Sequence, residues 1–391
     1  MGLKPPAVNI LYYDEPSEAW LQDTIYDLDP SNFPECSYIF VPVKRYPVNE
    51  EERIAILRKF NAPDILASRM CHEINGYCGS KVYYNEEDKL RSYSTWFRCL
   101  VKMILDEPLP NGKDYKWYEM TIVSRWDFNG QRRILCIDTP DDFPRHMQDA
   151  LQNKAPDSRD PFAMHLPLMD QIVRLNDESV WAIRDPIREI EKRRPTAGPD
   201  FEAMHEISRH SIHVSEVLHV TIQTFEKLLE QQKKVHARLP IPLAAEYCEQ
   251  VNEYLDFQIQ MLKSLKERSI SNYSRLKSEI TVAYNRIVQQ DNRVMKSIAF
   301  LTMIFLPATF ISAIFNTTFF QFGEDQLQAS KQLWIYWVVT IPSTLIIVVF
   351  WRSLLNRNPP VTWKSIWNMI KFDEARQKRR KMMEEKNAIV V

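Results

Sequence analysis

Two apolar runs near the C-terminal end of the chain, residues 297–320 and 333–351, contain no Asp, Glu, Lys, Arg or His. Each is close to or above the ~20 residues that a helix needs to cross a bilayer. In hydrocarbon the backbone must satisfy its own hydrogen bonds, so a run of this kind that spans a membrane does so as a helix. The two runs are joined by about a dozen mostly polar residues, and together they predict a transmembrane helical hairpin. A buried hairpin of a soluble protein is the alternative, disfavoured because a soluble core rarely demands two adjacent runs free of all charge.

The flanks give the orientation. The linker 321–332 carries Glu324 and Asp325 against Lys331, whereas lysines and arginines recur throughout 352–386 and are densest at 376–381. Positive charge stays on the cytoplasmic side, so the tail is expected inside and the linker outside. Two spans return the chain to its starting side, which makes the residues before Lys296 cytoplasmic as well. Trp334, Tyr336 and Trp337 at one end of the second run, and Phe350 and Trp351 at the other, read as interfacial aromatic belts or equally as rings stacked in a core.

The chain has 391 residues, 26% of them charged, with a formal net charge of -1. That is room for one ordinary soluble domain beside a helical region, and so small a net charge singles out no partner. The six cysteines, Cys36, Cys71, Cys78, Cys99, Cys136 and Cys248, form no CxxC pair. All precede the membrane on the expected cytoplasmic side, so they read as reduced and mostly structural. The N-terminus shows neither a signal peptide nor an Arg-rich presequence. Gly2 is a poor myristoylation site, because Pro6 stands where a Ser or Thr is wanted.

Residues 12–195 read as mixed α/β. Stretches 94–105, 116–126 and 132–138 are rich in β-branched and aromatic residues, and Asn111-Gly112 and Asn129-Gly130 between them are tight-turn signals. They predict consecutive antiparallel strands. Helical spacing appears at 51–60 and at 177–192, the second with Asn176 as a cap candidate and Pro186 as a point of kinking or splitting. Pro195 and Gly198 then break the chain.

Beyond that break the pattern is one of long helices. Phe201, Met204, Ser208, Ile212, Ser215, Leu218, Ile222, Phe225 and Leu229 step by threes and fours until Pro240 and Pro242. A second pattern runs from Ala244 to Phe320 with no Pro or Gly before Pro307, a helix on the order of 110 Å long. Such a helix needs partners along its length, which predicts a stalk packed on its neighbour helix and on copies of itself. The expected organisation is a cytoplasmic α+β domain over 1–195, a helical stalk over 196–296, the transmembrane hairpin over 297–351 and a basic tail over 352–391.

Chemical motifs are few. His205-Glu206 with His210 and His213 resembles a zincin motif, but His210 lies five residues after His205, about 140° around a helix. A surface or helix-packing role fits these histidines better. No phosphate-cradling or nucleophile-elbow motif is present, and with seven glycines in the chain a Gly-rich loop is not expected. The basic run 376–381 fits a membrane surface better than nucleic acid. Nothing argues for an enzyme or a bound cofactor.

The first apolar run does carry polar residues. Thr302, Thr309 and Asn316 are spaced by sevens, and Met295 continues the series. In a left-handed bundle a period of seven is one stripe, with Phe300 and Ile304 on the opposite, lipid-facing side. A stripe of hydroxyls and an amide is unfavourable against lipid, so it faces another helix as glue or water as a lining.

The peptides Asn292-Arg293-Val294-Met295-Lys296 and Phe305-Leu306-Pro307-Ala308-Thr309-Phe310-Ile311 resemble the stalk-to-membrane segment of CorA-type magnesium transporters. Residues 177–185 and the His-rich helix after them are similar to divergent CorA-like proteins of filamentous fungi. The resemblance is sharp over 292–351, extends to 177 and is weak before that. It implies a homopentamer, a funnel of stalk helices and a central pore lined by Asn292, Met295, Ile298, Thr302, Thr309 and Ala313. The family's outer signature is Gly-Met-Asn, whereas here Asn316, Thr317 and Thr318 stand in its place. An amide and two hydroxyls can still hydrogen-bond the water shell of a cation, and magnesium gives up that water reluctantly. Glu324 and Asp325 would attract cations from outside.

The expected function is passive transport of a divalent cation, magnesium foremost, through a homo-oligomer in a bilayer, with both termini cytoplasmic and the plasma membrane favoured. The competing class is a membrane-anchored sensor or interaction protein that keeps the architecture without conducting, as loss of the signature would allow.

Overall fold

A computed structural model describes residues 8–26, 33–42, 46, 49–86, 90–105, 107–110, 112–128, 130–151, 155–193, 198–315, 320–322, 327–329 and 333–355. By packing, the chain divides into two compact units, Met1–Ala283 and Tyr284–Val391.

The first unit is built on a seven-stranded sheet. Its strands are β1 (Val8–Asp14), β2 (Ala19–Ile25), β3 (Cys36–Val41), β4 (Gly76–Tyr84), β5 (Leu90–Ile104), β6 (Tyr115–Asp127) and β7 (Arg132–Ile137), in the spatial order β2-β1-β3-β7-β6-β5-β4. All neighbours are antiparallel except β3 and β7, which run parallel from Cys36↔Arg132 to Val41↔Ile137. The β5–β6–β7 meander that the turn signals predict is present, and Gly112 and Gly130 adopt the positive φ of 79° and 103° for which glycine is suited. β1 to β4 are strands that the sequence pattern did not single out.

Alternation along the strands loads both faces. Ile39, Val41, Leu135 and Ile137 point to one side, where they join Leu57 and Phe60 of the region around helix α1 (Glu50–Lys59) and Cys71 of α2 (Arg69–Glu73). Tyr38, Phe40, Ile134 and Cys136 point to the other. There they meet Phe143 and Met147 of α3 (Phe143–Leu151), Leu168 and Ile172 of α4 (His165–Arg193), and Leu218 and Phe225 of α5 (Phe201–His236). β3 is therefore buried at every position. Gly76 lets α5 approach β4, because a Cβ there would lie 2.5 Å from Val220 Cγ1 and 2.8 Å from the Arg98 carbonyl oxygen.

α4 departs from expectation. It begins at His165 and runs through Pro186 to Arg193, so Asn176 is not a cap. Its buried Nδ2 donates to the Ile172 carbonyl at 2.8 Å from inside the helix, a bond open to any Asn set on a buried face. α5 is capped by Asp200, whose side chain accepts from the Ala203 amide. α6 spans Ala245–Phe315, ending before the predicted Phe320. That residue instead pairs with Ala329 between two short strands, β8 (Phe320–Phe322) and β9 (Leu327–Ala329). α7 covers Leu333–Leu355.

Buried and half-buried polar groups fasten these layers. The Arg98 guanidinium donates to the Ile74, His72 and Glu119 carbonyls and pairs with Glu119 Oε2 at 2.5 Å. Arg275 of α6 forks onto both carboxylate oxygens of Glu191 of α4, at 2.9 and 2.6 Å. All six cysteines are free thiols. Burial pushes Cys36 up to about 11 and Cys78 and Cys99 up to about 12, which keeps them protonated and unreactive.

Asp160 ties three elements together. It is 1% exposed and accepts from the Phe162 amide, from His236 Nε2 at the end of α5 and from Tyr247 Oη at the start of α6, each at 2.8 Å. The α5–α6 connection is thus anchored to the segment before α4. Asp160→Ala would strand these donors and is expected to cost about 3–5 kcal/mol, against about 1 kcal/mol for Tyr247→Phe. Denaturant midpoints of the full chain in detergent measure both; an Asp160→Ala midpoint equal to the parent's would refute the anchoring role.

Candidate functional site

The second unit holds the predicted hairpin. Among the described residues two helical stretches are long and apolar enough to cross a membrane, one within Ala245–Ala313 and one at Trp334–Trp351, and only 6% of each apolar window is buried within the chain. Apolar side chains left so uncovered need lipid or other protein around them.

The two helices meet along one side. The rings of Phe300 and Trp351 lie 6.2 Å apart, Ser312 Oγ donates to Tyr336 Oη at 3.2 Å, and Tyr336 Oη reaches the Ala308 carbonyl at 3.4 Å. Early residues of one segment thus meet late residues of the other, so the pair is antiparallel. Pro307 and Ile311 of α6 are buried, as is Thr340 of α7. At ~100° per residue, Ile304, Pro307 and Ile311 all fall within about 40° of Phe300, and this is the side of α6 turned to α7. Phe300 and Ile304 were expected to face lipid; the second span occupies that side instead. The aromatic belts divide in the same way, with Tyr336 and Trp351 packed on α6 while Trp334, Trp337 and Phe350 are exposed at 62%, 56% and 65%.

The polar stripe lies on the far side. By the same ~100° step, Ile298, Thr302, Thr309, Met295 and Ala313 are displaced by about 160–220° from Phe300. All five are exposed within the chain. The structure thus brings together five of the six residues expected to line a pore, on the face turned away from α7. Asn292, also exposed, falls about 80° off that face on a straight helix. Asn316, Thr317, Thr318, Glu324 and Asp325 lie outside the described residues.

The hydroxyls on this face have a defined direction. Thr302 Oγ1 donates to the Ile298 carbonyl at 2.9 Å and Thr309 Oγ1 to the Phe305 carbonyl at 2.7 Å. Each hydroxyl hydrogen is therefore committed to its own helix, leaving oxygen lone pairs as the groups offered outward. Pro307 has no amide hydrogen, which takes away the donor that the Met303 carbonyl would otherwise receive. One acidic residue shares the face and was passed over in the sequence: Asp291, exposed and about 180° from Phe300. The signal available was its spacing of seven from Ile298.

Among the described residues no group of three or more His, Cys, Asp or Glu is placed to hold a metal ion within the chain. The zincin-like histidines separate accordingly. His205 is exposed, whereas His210 and His213 pack against the rings of Tyr115 and Trp117, as expected for helix packing.

Comparison with known proteins matches this architecture. The full-length CmaX protein has a TM-score of 0.59 at 14% identity, covering 90% of this chain and 99% of its own. The CorA magnesium transporter from Methanocaldococcus jannaschii has a TM-score of 0.50 at 16% identity, covering 90% and 98%. At these identities the likeness is one of fold. A fungal protein, Notoamide biosynthesis cluster protein M' of Aspergillus versicolor, is 28% identical over 269 residues. That match takes in 60% of this chain and spans 58% of the relative's length. The model of the CorA-like Mg2+ transporter protein family matches residues 128–352, more than half of the chain, and with an α/β unit, a long helix and an apolar hairpin the protein belongs to that family as an integral membrane protein.

Proposed function

We propose that this protein is a passive divalent cation channel, with magnesium the foremost candidate, formed by a homopentamer whose α6 faces line a central pore. The observation that carries the reading is the position of Thr302 and Thr309 opposite the α7 contact. Hydroxyls there are not glue between the two spans of one chain, and exposure to lipid would be unfavourable. A shared seam among copies of α6 gives them water or one another.

In such a pore the lone pairs of Thr302 and Thr309 accept hydrogen bonds from the water shell of a cation, so the ion need not be stripped. Met295 and Ile298 form uncharged constrictions before the Thr302 and Thr309 rings, and Ala313 forms one after them. Asp291 supplies negative charge toward one end. Asn316, Thr317 and Thr318 form the outer ring, with Glu324 and Asp325 as the attracting field beyond it. The chain crosses the membrane twice with both termini in the cytoplasm, following the basic tail, and the plasma membrane is the favoured location. The driving force is the ion gradient with the membrane potential, and no catalytic step is involved. The second reading is a non-conducting, membrane-anchored sensor, favoured by the loss of Gly-Met-Asn at 316–318.

Two measurements decide between them. Purified protein in liposomes should admit magnesium, and Asp291→Asn should reduce that flux by roughly twofold or more at low ionic strength while changing it little in high salt, where screening is strong. Absence of magnesium flux from the parent protein would favour the sensor. In a background freed of the native cysteines, Thr302→Cys and Thr309→Cys should react with a small charged thiol reagent at least about tenfold faster than Ile304→Cys and Ile311→Cys, since the second pair lies against α7 in hydrocarbon surroundings. Equal and slow reaction at all four would refute an aqueous seam.

A further inference from the structure

Lys102, on β5, is 1% exposed, an unusual place for a lysine. Its Nζ lies 4.2 Å from the ring centre of Tyr115 and 5.1 Å from that of Trp117, both on β6. From α5, His213 places Nδ1 3.0 Å from Lys102 Nζ. From α4, Ser179 Oγ donates to the Lys102 carbonyl at 2.6 Å. His210, 3% exposed, sits edge-on to Tyr115 at 5.2 Å, with Nε2 3.6 Å from Asp114 Oδ1. That separation is too long for a hydrogen bond, and neither ring nitrogen of His210 has a hydrogen-bond partner. The other charged groups facing the cluster are Lys113 beside Asp114 before β6, and Glu206, Arg209 and Glu216 on α5.

Valence fixes the roles. An ammonium has three donors and no lone pair, so Lys102 donates and His213 Nδ1 accepts. His213 is then the neutral tautomer with its hydrogen on Nε2. A proton added to Nδ1 removes the acceptor and sets a second cation 3.0 Å from the first. Burial, followed by the charge of Lys102, holds both His210 and His213 below the ordinary histidine value. Burial also brings Lys102 down to about 8. Near neutral pH the cage therefore holds one ammonium and two uncharged imidazoles.

The sign follows from linkage. Docked α5 binds fewer protons at these histidines than released α5. The histidines' contribution to the contact is thus complete above a pH of about 6.5, the ordinary histidine value, and is lost as pH falls through the depressed values. Fewer apolar side chains hold the first half of α5 than the second: Met204 and Val214 are buried there while Phe201 and Ile212 are exposed at 37% and 49%, whereas Val217, Leu218, Ile222, Phe225, Leu228 and Leu229 are all buried further on.

We propose that Lys102, His210 and His213 form an acid-sensitive latch that releases the first half of α5 from the β5–β6 hairpin when the surrounding solution acidifies. The device is independent of whether the protein conducts.

Amide hydrogen exchange of the full chain in detergent, corrected for intrinsic exchange rates, tests it at about pH 7.5 and about pH 5.5. Residues 201–216 should lose protection by roughly tenfold or more at the lower pH while 217–236 keep theirs. Replacing both histidines, His210→Gln with His213→Gln, keeps an acceptor for Lys102 but does not titrate, and should abolish the difference. Should that variant fail to fold, Lys102→Met removes the like charge, lets the docked histidines take up protons more readily and should therefore diminish the loss of protection at the lower pH. Equal protection of the parent at both pH values overturns the proposal. So does an undiminished loss in the double glutamine variant or in Lys102→Met.

Discussion

From Tyr284 to Thr302 every residue of α6 is exposed. This includes Tyr284 at 62%, Val294 at 54%, Met295 at 65% and Ile298 at 58%. A helix of this composition with no side covered is marginal in water on its own, and its apolar side chains gain their stabilisation only when something is laid against them. Among the described residues of the second unit the chain lays only α7 against α6, along one side from the Phe300–Trp351 contact onward. The functional reading follows from this constraint, because the surface left open includes the face that carries Thr302 and Thr309. The first unit, by contrast, has a complete core on both sides of its sheet and does not depend on outside cover.

The hydroxyls on the open face are oriented by the helix and not by a ligand. A threonine whose hydrogen is bound to the carbonyl four residues back costs the helix little and presents oxygen outward at no further entropic cost. Such a surface accepts hydrogen bonds and carries no charge. In the proposed pore such a surface would discriminate poorly between ions by field strength, which would leave discrimination to the outer ring proposed at 316–318.

The parts of this protein legible in its sequence are those where one local signal suffices. The β5–β7 meander was marked by two turns whose glycines adopt positive φ, and the apolar runs by absence of charge. β3 was not legible because a strand buried on both faces has no alternation to read, and β4 because its two glycines and half-buried pattern lack one. Asn176 resembled a cap, since the same side chain that caps a helix also bonds back within one. Burial of Arg98 and Lys102 was beyond reach, as nothing local distinguishes a buried cation from an exposed one. Of the residues on the open face, Met295, Thr302 and Thr309 were legible from spacing and Ile298 and Ala313 only from the resemblance, whereas the side occupied by α7 was not legible, because both sides of the helix are apolar.

The single parallel join in the sheet sets an order for how the chain can assemble as it is made. β1, β2 and β3 form an antiparallel group, and β4 to β7 form another. The two are stitched together by β3 with β7, across roughly a hundred residues of sequence. The centre of the sheet therefore stays unsealed until Ile137 has left the ribosome, with β3 offering an apolar edge on both faces meanwhile. Yet α6 and α7 come more than a hundred residues later, so the sheet has time to close before any segment bound for the bilayer emerges. Pairing distance along the chain thus separates folding in water from insertion into lipid, and keeps the exposed edge of β3 away from two apolar helices it could otherwise capture.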